Sequence, residues 1–207
     1  MPNALNSILL LFAHPSLERS EVNAPMFELA QTLPQVTAVD LYREYPSFKI
    51  DIDKEQQRLI EHDIVIMMFP LYWYSVPALL KEWQDLVLEY GFAYGHQGNK
   101  LQGKTLLCAI TAGGAESAYT ADGYNHFTIR QLLSPIEQTA SLTGMHYLPP
   151  FVLFGSRTAV EENRLQQHLD NWHHLLSALQ HGQIDLEMAA HLPQLNQRHL
   201  ALFKERL

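Results

Sequence analysis

Three short stretches of the chain carry side chains able to hold a ligand. The first, "AHPSLERSEVN" (Ala13–Asn23), places His14, Ser16, Ser20 and Asn23 at the entrance of a predicted helix. A helix N-terminus offers unpaired backbone N–H groups and a partial positive charge, the chemistry that suits a phosphate. His14 would add a charge-assisted hydrogen bond to such an anion, worth about 1.5–3 kcal/mol. The same residues also fit an ordinary helix entry capped by Ser20 or Asn23. Neither G-x-G-x-x-G nor a Walker A pattern is present, so a phosphate here would be held without either glycine signature.

The second stretch, "PLYWYSVP" (Pro70–Pro77), sets Tyr72, Trp73 and Tyr74 side by side. Consecutive loop residues cannot all face one core, so the run reads either as the wall of a cleft or as core and interface packing. The third, "TAGGAESAYTADGYNHF" (Thr111–Phe127), begins with Gly113 and Gly114 and continues to Tyr119, Tyr124 and His126. Paired glycines let a backbone approach a ligand with its N–H groups free to donate, and they also make plain turns. The tyrosines and the histidine are candidate polar partners.

These stretches depend on the elements that present them. Ile8–Phe12, Val36–Leu41, Ile64–Phe69, the apolar part of "GKTLLCAITAGG" and Tyr147–Phe154 read as five strands. Helices are predicted from about Asn23 to Leu33, from Asp53 to His62, from Pro77 onward, over Thr128–Leu142 despite Pro135, and over Glu161–Leu179. Strands without apolar/polar alternation are buried on both faces, as in a parallel sheet covered by helices. The expectation is therefore an α/β, doubly wound, five-stranded parallel sheet with helices on both faces. In such folds ligands bind beyond the carboxyl ends of the strands, at the switch point. That rule brings all three stretches to one rim. A phosphate-donor loop, an aromatic shelf and a glycine platform together describe a site for a flat, phosphorylated ring, and flavin mononucleotide (FMN) fits best.

The rest of the composition narrows the alternatives. A formal net charge of −8 with no basic block argues against a nucleic-acid partner. The lone Cys108 excludes internal disulfides, suits a reducing cytosol, and reads as a small buried hydrophobe in mid-strand. No apolar run reaches the ~18 residues of a membrane-spanning helix. The opening "MPNALNSILLLFAHP" lacks the basic segment of a signal peptide, so a cytoplasmic location is expected. Among eleven histidines, His173, His174, His181, His191 and His199 gather towards the end. They form no i, i+4 pair with carboxylate support, and no metal site is assigned. His14 as a hydrolase nucleophile has no oriented base in view. Trp83 and Trp172 sit on amphipathic faces and read as packing residues. Residues 1–182 are expected to form the domain, and 183–207 a C-terminal extension. Its apolar pattern around Leu195, Leu200 and Phe203 suggests a short helix covering a dimer partner.

Over roughly residues 7–180 the chain resembles the flavodoxin-like NAD(P)H dehydrogenase (quinone) family. Within it, the ancillary proteins of glutathione-regulated potassium-efflux systems are the most similar. The resemblance rests on "AHP…SEVN", "YWYSVPALLKEW", "GFAYG", the Leu-x-Gly-Lys of Leu101–Lys104 and "TAGG…Y", in the family's order and spacing. It implies a flavodoxin-like fold holding FMN, with FAD as the alternative. His14 with Ser20, Glu21, Val22 and Asn23 would cradle the phosphate and ribityl chain. Leu71, Tyr72, Trp73 and Tyr74 would lie along the isoalloxazine ring. Thr111, Ala112, Gly113 and Gly114 would hold its pyrimidine edge, with Tyr119 near O2. The implied activity is two-electron, ping-pong hydride transfer from NAD(P)H through flavin N5 to a quinone. The implied assembly is a homodimer in which Tyr94 and His96 close the partner's pocket. The alternative is a flavin-binding regulatory subunit of a potassium/proton antiporter, peripheral at the inner face of the membrane. Three positions depart from the family pattern: Tyr72 replaces a frequent Gln, Ala112 a second Thr, and Asn125 stands at the charge-relay histidine. With His126 adjacent, proton handling is assigned to Tyr119 and His126.

Overall fold

The computed structural model describes residues 5–195. Parallel strands β1 (Ile8–Phe12), β2 (Val36–Asp40), β3 (Ile64–Pro70) and β4 (Thr105–Thr111) are joined by helices, as the uninterrupted apolar runs of β1 and β3 predict. The sheet order is β2-β1-β3-β4-β5, the flavodoxin-like doubly wound arrangement whose switch point lies between β1 and β3.

The expected fifth strand forms in two pieces, β5 (His146–Tyr147) and β6 (Phe151–Leu153), both parallel to β4. Thr105 pairs with His146 but Ala109 with Phe151, so one extra residue is accommodated between the pieces. Pro149 and Pro150 occupy that gap. Neither has an N–H to donate to the ladder, so the break falls there.

Helices cover both faces. On one side, Leu9, Leu11, Met67, Phe69, Cys108 and Ile110 meet Leu59 of α3 (Ile52–Glu61), Leu79, Leu80 and Trp83 of α4 (Ala78–Val87), and Ile136 and Ala140 of α6 (Ser134–Thr143). On the other, Leu10, Phe12, Ile66, Met68 and Ala109 meet Met26 and Phe27 of α1 (Asn23–Gln31) and Trp172, Leu175 and Leu176 of α7 (Leu165–Gln180). Both tryptophans are fully buried and satisfied: Trp83 Nε1 donates to Glu55 at 2.9 Å and Trp172 Nε1 to Met26 O at 3.0 Å. Cys108 is enclosed in β4, and burial pushes its thiol up to about 12. A short helix, α2 (Leu41–Glu44), follows β2 and is capped by Asp40.

Two helix expectations are adjusted. The helix expected over Thr128–Leu142 splits into α5 (Ile129–Leu132), closed by a Thr128/Gln131 capping box, and α6. Pro135 lies at the start of α6, where its missing N–H costs nothing, and a break before it is the physical consequence. The helix expected from Glu161 begins at Leu165, because Asn163 takes a positive φ of 56°.

The described part of the C-terminal extension packs on its own chain. Asp185 caps α8 (Leu186–Ala190), and Ala189 and Leu195 are fully buried in the core beside α7. Leu195 N donates to Pro150 O at 2.8 Å, and Arg130 Nη1 binds the carbonyls of Ala190 and Leu192 at 2.6 and 3.0 Å. Leu200 and Phe203, named in the expected helix, lie outside the described residues.

His168 of α7 stacks on Phe151, with ring centroids 4.5 Å apart, and its Nε2 finds no partner among the described residues. Burial holds its pKa down to about 4, well below the usual imidazole range. The unfolded chain therefore binds more protons between pH 6.5 and 4, and stability falls as the pH drops through that window. The expected loss between pH 7 and 5 is on the order of 2 kcal/mol. Urea denaturation at the two pH values should show it, and a His168→Phe variant should lose most of the difference. An unchanged pH slope in that variant would count against the assignment.

Candidate functional site

The loops at the carboxyl ends of β1, β3, β4 and β6 enclose a cleft of about 1030 Å³. Its walls include His14, Ser20, Glu21, Val22, Asn23, Leu71, Tyr72, Trp73, Tyr74, Thr111, Gly113, Gly114 and Tyr119.

At the β1 end, His14 is buried, and its Nδ1 accepts from the backbone N–H of Ser16 at 3.1 Å. That bond leaves the ring proton on Nε2. Burial also keeps the imidazole pKa below its ordinary value, against the opposing charges of Glu18 and Asp40. His14 in the free protein is thus a neutral donor, whose Nε2–H can still make a charge-assisted bond to an anion. Ser20 Oγ accepts from Asn23 N–H at 2.9 Å and keeps its own proton for another acceptor. Asn23, the first residue of α1, is buried, and its Nδ2 donates to Thr111 Oγ1 at 3.1 Å. This bond ties the phosphate-type loop after β1 to the end of β4. No protein acceptor meets the backbone N–H of Glu21, Val22 or Ala24 among the described residues. Pro25 has none to offer.

At the β3 end, Leu71 N donates to Thr111 O at 2.9 Å, and the chain then reverses over Tyr72–Ser75. Trp73 and Tyr74 have φ of 48° and 64°. A turn with two consecutive positive φ values normally uses Asn and Gly; an aromatic residue there costs of order 1–2 kcal/mol. The cost is not repaid by burial, since Trp73 is 93% exposed and Tyr72 and Tyr74 are about half exposed. Strain held in an exposed aromatic turn at a cleft mouth points to function. Both roles open at the sequence level divide cleanly here: Met67–Phe69 is core, while Tyr72–Tyr74 is not.

At the β4 end, Gly113 and Gly114 form an open platform. A Cβ on Gly114 would lie 3.2 Å from the Tyr119 ring. Burial raises the Tyr119 phenol above its ordinary pKa, while hydrogen bonds from Gly114 N–H and the Asn125 side chain pull the other way. Tyr74 O–H donates to Asn125 Oδ1 at 3.1 Å. Asn125 is therefore held with its oxygen to Tyr74, beside the Tyr119 phenol. A protonated Tyr119 can donate into the cleft.

Four expected residues do not line this chain's cleft. Ala112 is fully buried; its N–H donates to Leu153 O and its carbonyl accepts from Ser156 N. His126 is exposed with a φ of 59° and is not part of the cleft wall, whereas Asn125 is bonded to Tyr74 of that wall. Tyr94 and His96 are exposed on the compact loop after α4, away from their own chain's cleft. Conversely, Arg19, Ser156 and Arg157 line the cleft without having been expected. Arg19 was visible within the first motif. Ser156 and Arg157 follow the fifth strand, and the same carboxyl-end rule reaches them because Leu153 pairs with Thr111.

The chemistry of these groups fits FMN. Open N–H groups, two hydroxyl donors and Arg19 suit a phosphate. The aromatic turn and glycine platform suit a flat ring with polar edges.

Residues 6–176 match the family described as flavodoxin-like fold (Flavodoxin_2), and the chain belongs to that family. It is 47% identical over 150 residues to a glutathione-regulated potassium-efflux system ancillary protein KefG from Cronobacter sakazakii, covering 72% of this chain and 82% of that one. Among solved structures, general stress protein 14 from Treponema denticola in complex with FMN is 35% identical, with a TM-score of 0.78 over 84% of this chain and 99% of the other. An NADPH-quinone reductase from P. pentosaceus is 32% identical, with a TM-score of 0.74 over 82% and 97%.

Proposed function

We propose that the protein is an FMN-dependent NAD(P)H:quinone oxidoreductase. The observation that carries this reading is the meeting, on one rim, of an open α1 N-terminus, a strained exposed aromatic turn and a two-glycine platform. Likeness to an FMN complex and to an NADPH-quinone reductase supports it. When bound, FMN supplies two-electron transfer between a nicotinamide donor and an acceptor, taken in turn at one open face, which is ping-pong behaviour.

The chain's own residues would do the rest. Ser16, Ser20, Arg19, neutral His14 and the N–H groups of Glu21, Val22 and Ala24 would bind the phosphate end. Tyr72, Trp73 and Tyr74 would limit the ring's position and exclude water from one side. Tyr119 would present its phenol proton at the polar edge, with Asn125, bonded to Tyr74, beside it and His126 outside the cleft wall. Exposed Tyr94 and His96 are available to complete a neighbouring copy's cleft in a homodimer, and exposed Tyr90, Tyr124 and Phe127 add apolar surface for such an assembly. Among the described residues no helix is long and apolar enough to cross a membrane, which fits a cytoplasmic enzyme.

A second reading is favoured by the KefG likeness: an FMN-binding regulatory subunit that docks on the cytoplasmic side of a potassium/proton antiporter. Tyr72 stands half exposed at the mouth where the family frequently has Gln, and a bulkier ring there would suit low turnover. One assay separates the two. The FMN-loaded protein is expected to oxidise NADPH with a soluble quinone; FMN binding without turnover, together with co-purification of a membrane transporter, would shift the assignment to the regulatory role.

A further inference from the structure

Among the described residues, the loop after β6 is the wall of the cleft that no sequence motif singles out. Its backbone is held from two sides. Gly155 N donates to Gly114 O at 2.8 Å and Ser156 N to Ala112 O at 3.0 Å, which stitches the loop to the glycine platform. Arg164, just before α7, donates from Nη1 to Phe154 O at 2.9 Å and from Nη2 to Gly155 O at 2.8 Å. Gly155 has a φ of 57°, which a glycine adopts without strain. The backbone that carries the next residues is thus fixed against the platform.

Arg157 is one of them. It lines the cleft, and its Nε lies 3.4 Å from the point that a Cβ on Gly113 would occupy. The nearby Glu162 is committed to Arg164 at 2.7 Å, and no carboxylate pairs with Arg157 among the described residues. The other cleft-lining cation, Arg19, belongs to the β1 loop at the opposite, phosphate-type end. A full positive charge without a counter-ion therefore sits beside the platform proposed to meet the polar edge of the ring.

We propose that Arg157 is a cofactor-facing cation that favours reduced over oxidised FMN. The proposal rests on reading the cleft as an FMN site. Hydride uptake adds two electrons and one proton, so the reduced ring carries one more negative charge than the oxidised ring. A guanidinium keeps its charge at any working pH and interacts with that extra charge alone. Preference for one redox form over the other is a shift in reduction potential, and charge near the ring is one of the protein's means of tuning it.

The test uses the full-length protein loaded with FMN, as wild type, Arg157→Gln and Arg157→Lys. Two quantities are read: the Kd of oxidised FMN by fluorescence, and the two-electron midpoint potential against a reference dye. In Arg157→Gln the preference for reduced FMN is expected to fall about tenfold, equivalent to a potential about 30 mV more negative. The Kd of oxidised FMN should move less than about threefold, and Arg157→Lys should recover most of the potential. A preference changed less than about twofold would overturn the proposal. So would a lysine variant that behaves like glutamine, or an unchanged potential with a raised KM for NADPH, which would give the cation to the donor instead. A wild type that takes up no FMN overturns the site reading itself. A yellow wild type with an unmoved Arg157→Gln potential removes only the role of Arg157.

Discussion

Gly114→Val should fold normally and bind FMN at least about 100-fold more weakly than the wild type, a loss of roughly 2.7 kcal/mol or more. A single Cβ at this position already lies 3.2 Å from the Tyr119 ring, and the two further methyls of valine deepen that conflict. Tyr119 can yield only by moving its half-buried ring, which packs beside Gly114 on one side and Phe154 on another. The backbone itself is not the obstacle, since Gly114 is not among the glycines with positive φ. Its carbonyl can still accept from Gly155 N. The variant should therefore keep its far-ultraviolet circular dichroism and lose FMN in a fluorescence titration. Near-wild-type affinity would mean that the glycine platform does not face the ring.

Glu55→Ala carries the largest expected loss of stability, about 3–5 kcal/mol. Glu55 is completely buried in α3 and collects three donors from three parts of the chain. Tyr45 O–H reaches it at 2.6 Å, Trp83 Nε1 at 2.9 Å, and the guanidinium of Arg58 pairs with it. Removing the carboxylate strands Tyr45 O–H and Trp83 Nε1 and leaves Arg58 with Glu44 alone, and an unmatched buried donor costs more than an absent bond. For a chain of this length the loss corresponds to a melting temperature lower by roughly 6–20 °C. These bonds join α3 to α4 on the face of the sheet formed by Leu9, Met67 and Cys108, and none of the three donors lines the cleft. FMN stoichiometry below the transition should accordingly be unchanged. A melting temperature within about 2 °C of wild type would show that the network contributes little.

Much of the fold was legible because its central strands are apolar without interruption. Ile8–Phe12 and Ile64–Phe69 cannot alternate between core and water, so a two-sided cover of helices follows. From that point the carboxyl-end rule located three of the four loops around the cleft. What stayed hidden depends on tertiary context. Trp73 and Tyr74 give no sequence sign of positive φ, because the residues that usually announce such a turn are Asn and Gly. The fifth strand reads as one run, and only its pairing with β4 shows the residue that Pro149 and Pro150 insert. Asn125 holds the family's position and His126 is its neighbour, so residue type alone favoured the histidine. The backbone turn at His126 leaves it exposed, while Asn125 is the one bonded to Tyr74 of the cleft wall. Arg157 lies outside every recognisable motif, and only the bonds from Gly155 and Ser156 to the platform bring it to the site.

The central claim is that this cleft holds FMN. Its most direct test is the absorbance spectrum of the purified full-length protein, before and after addition of FMN and removal of the excess. A yellow protein with one flavin per chain, bleached by NADPH and restored by a quinone, is the expected result. A colourless protein that retains no added FMN would contradict the account.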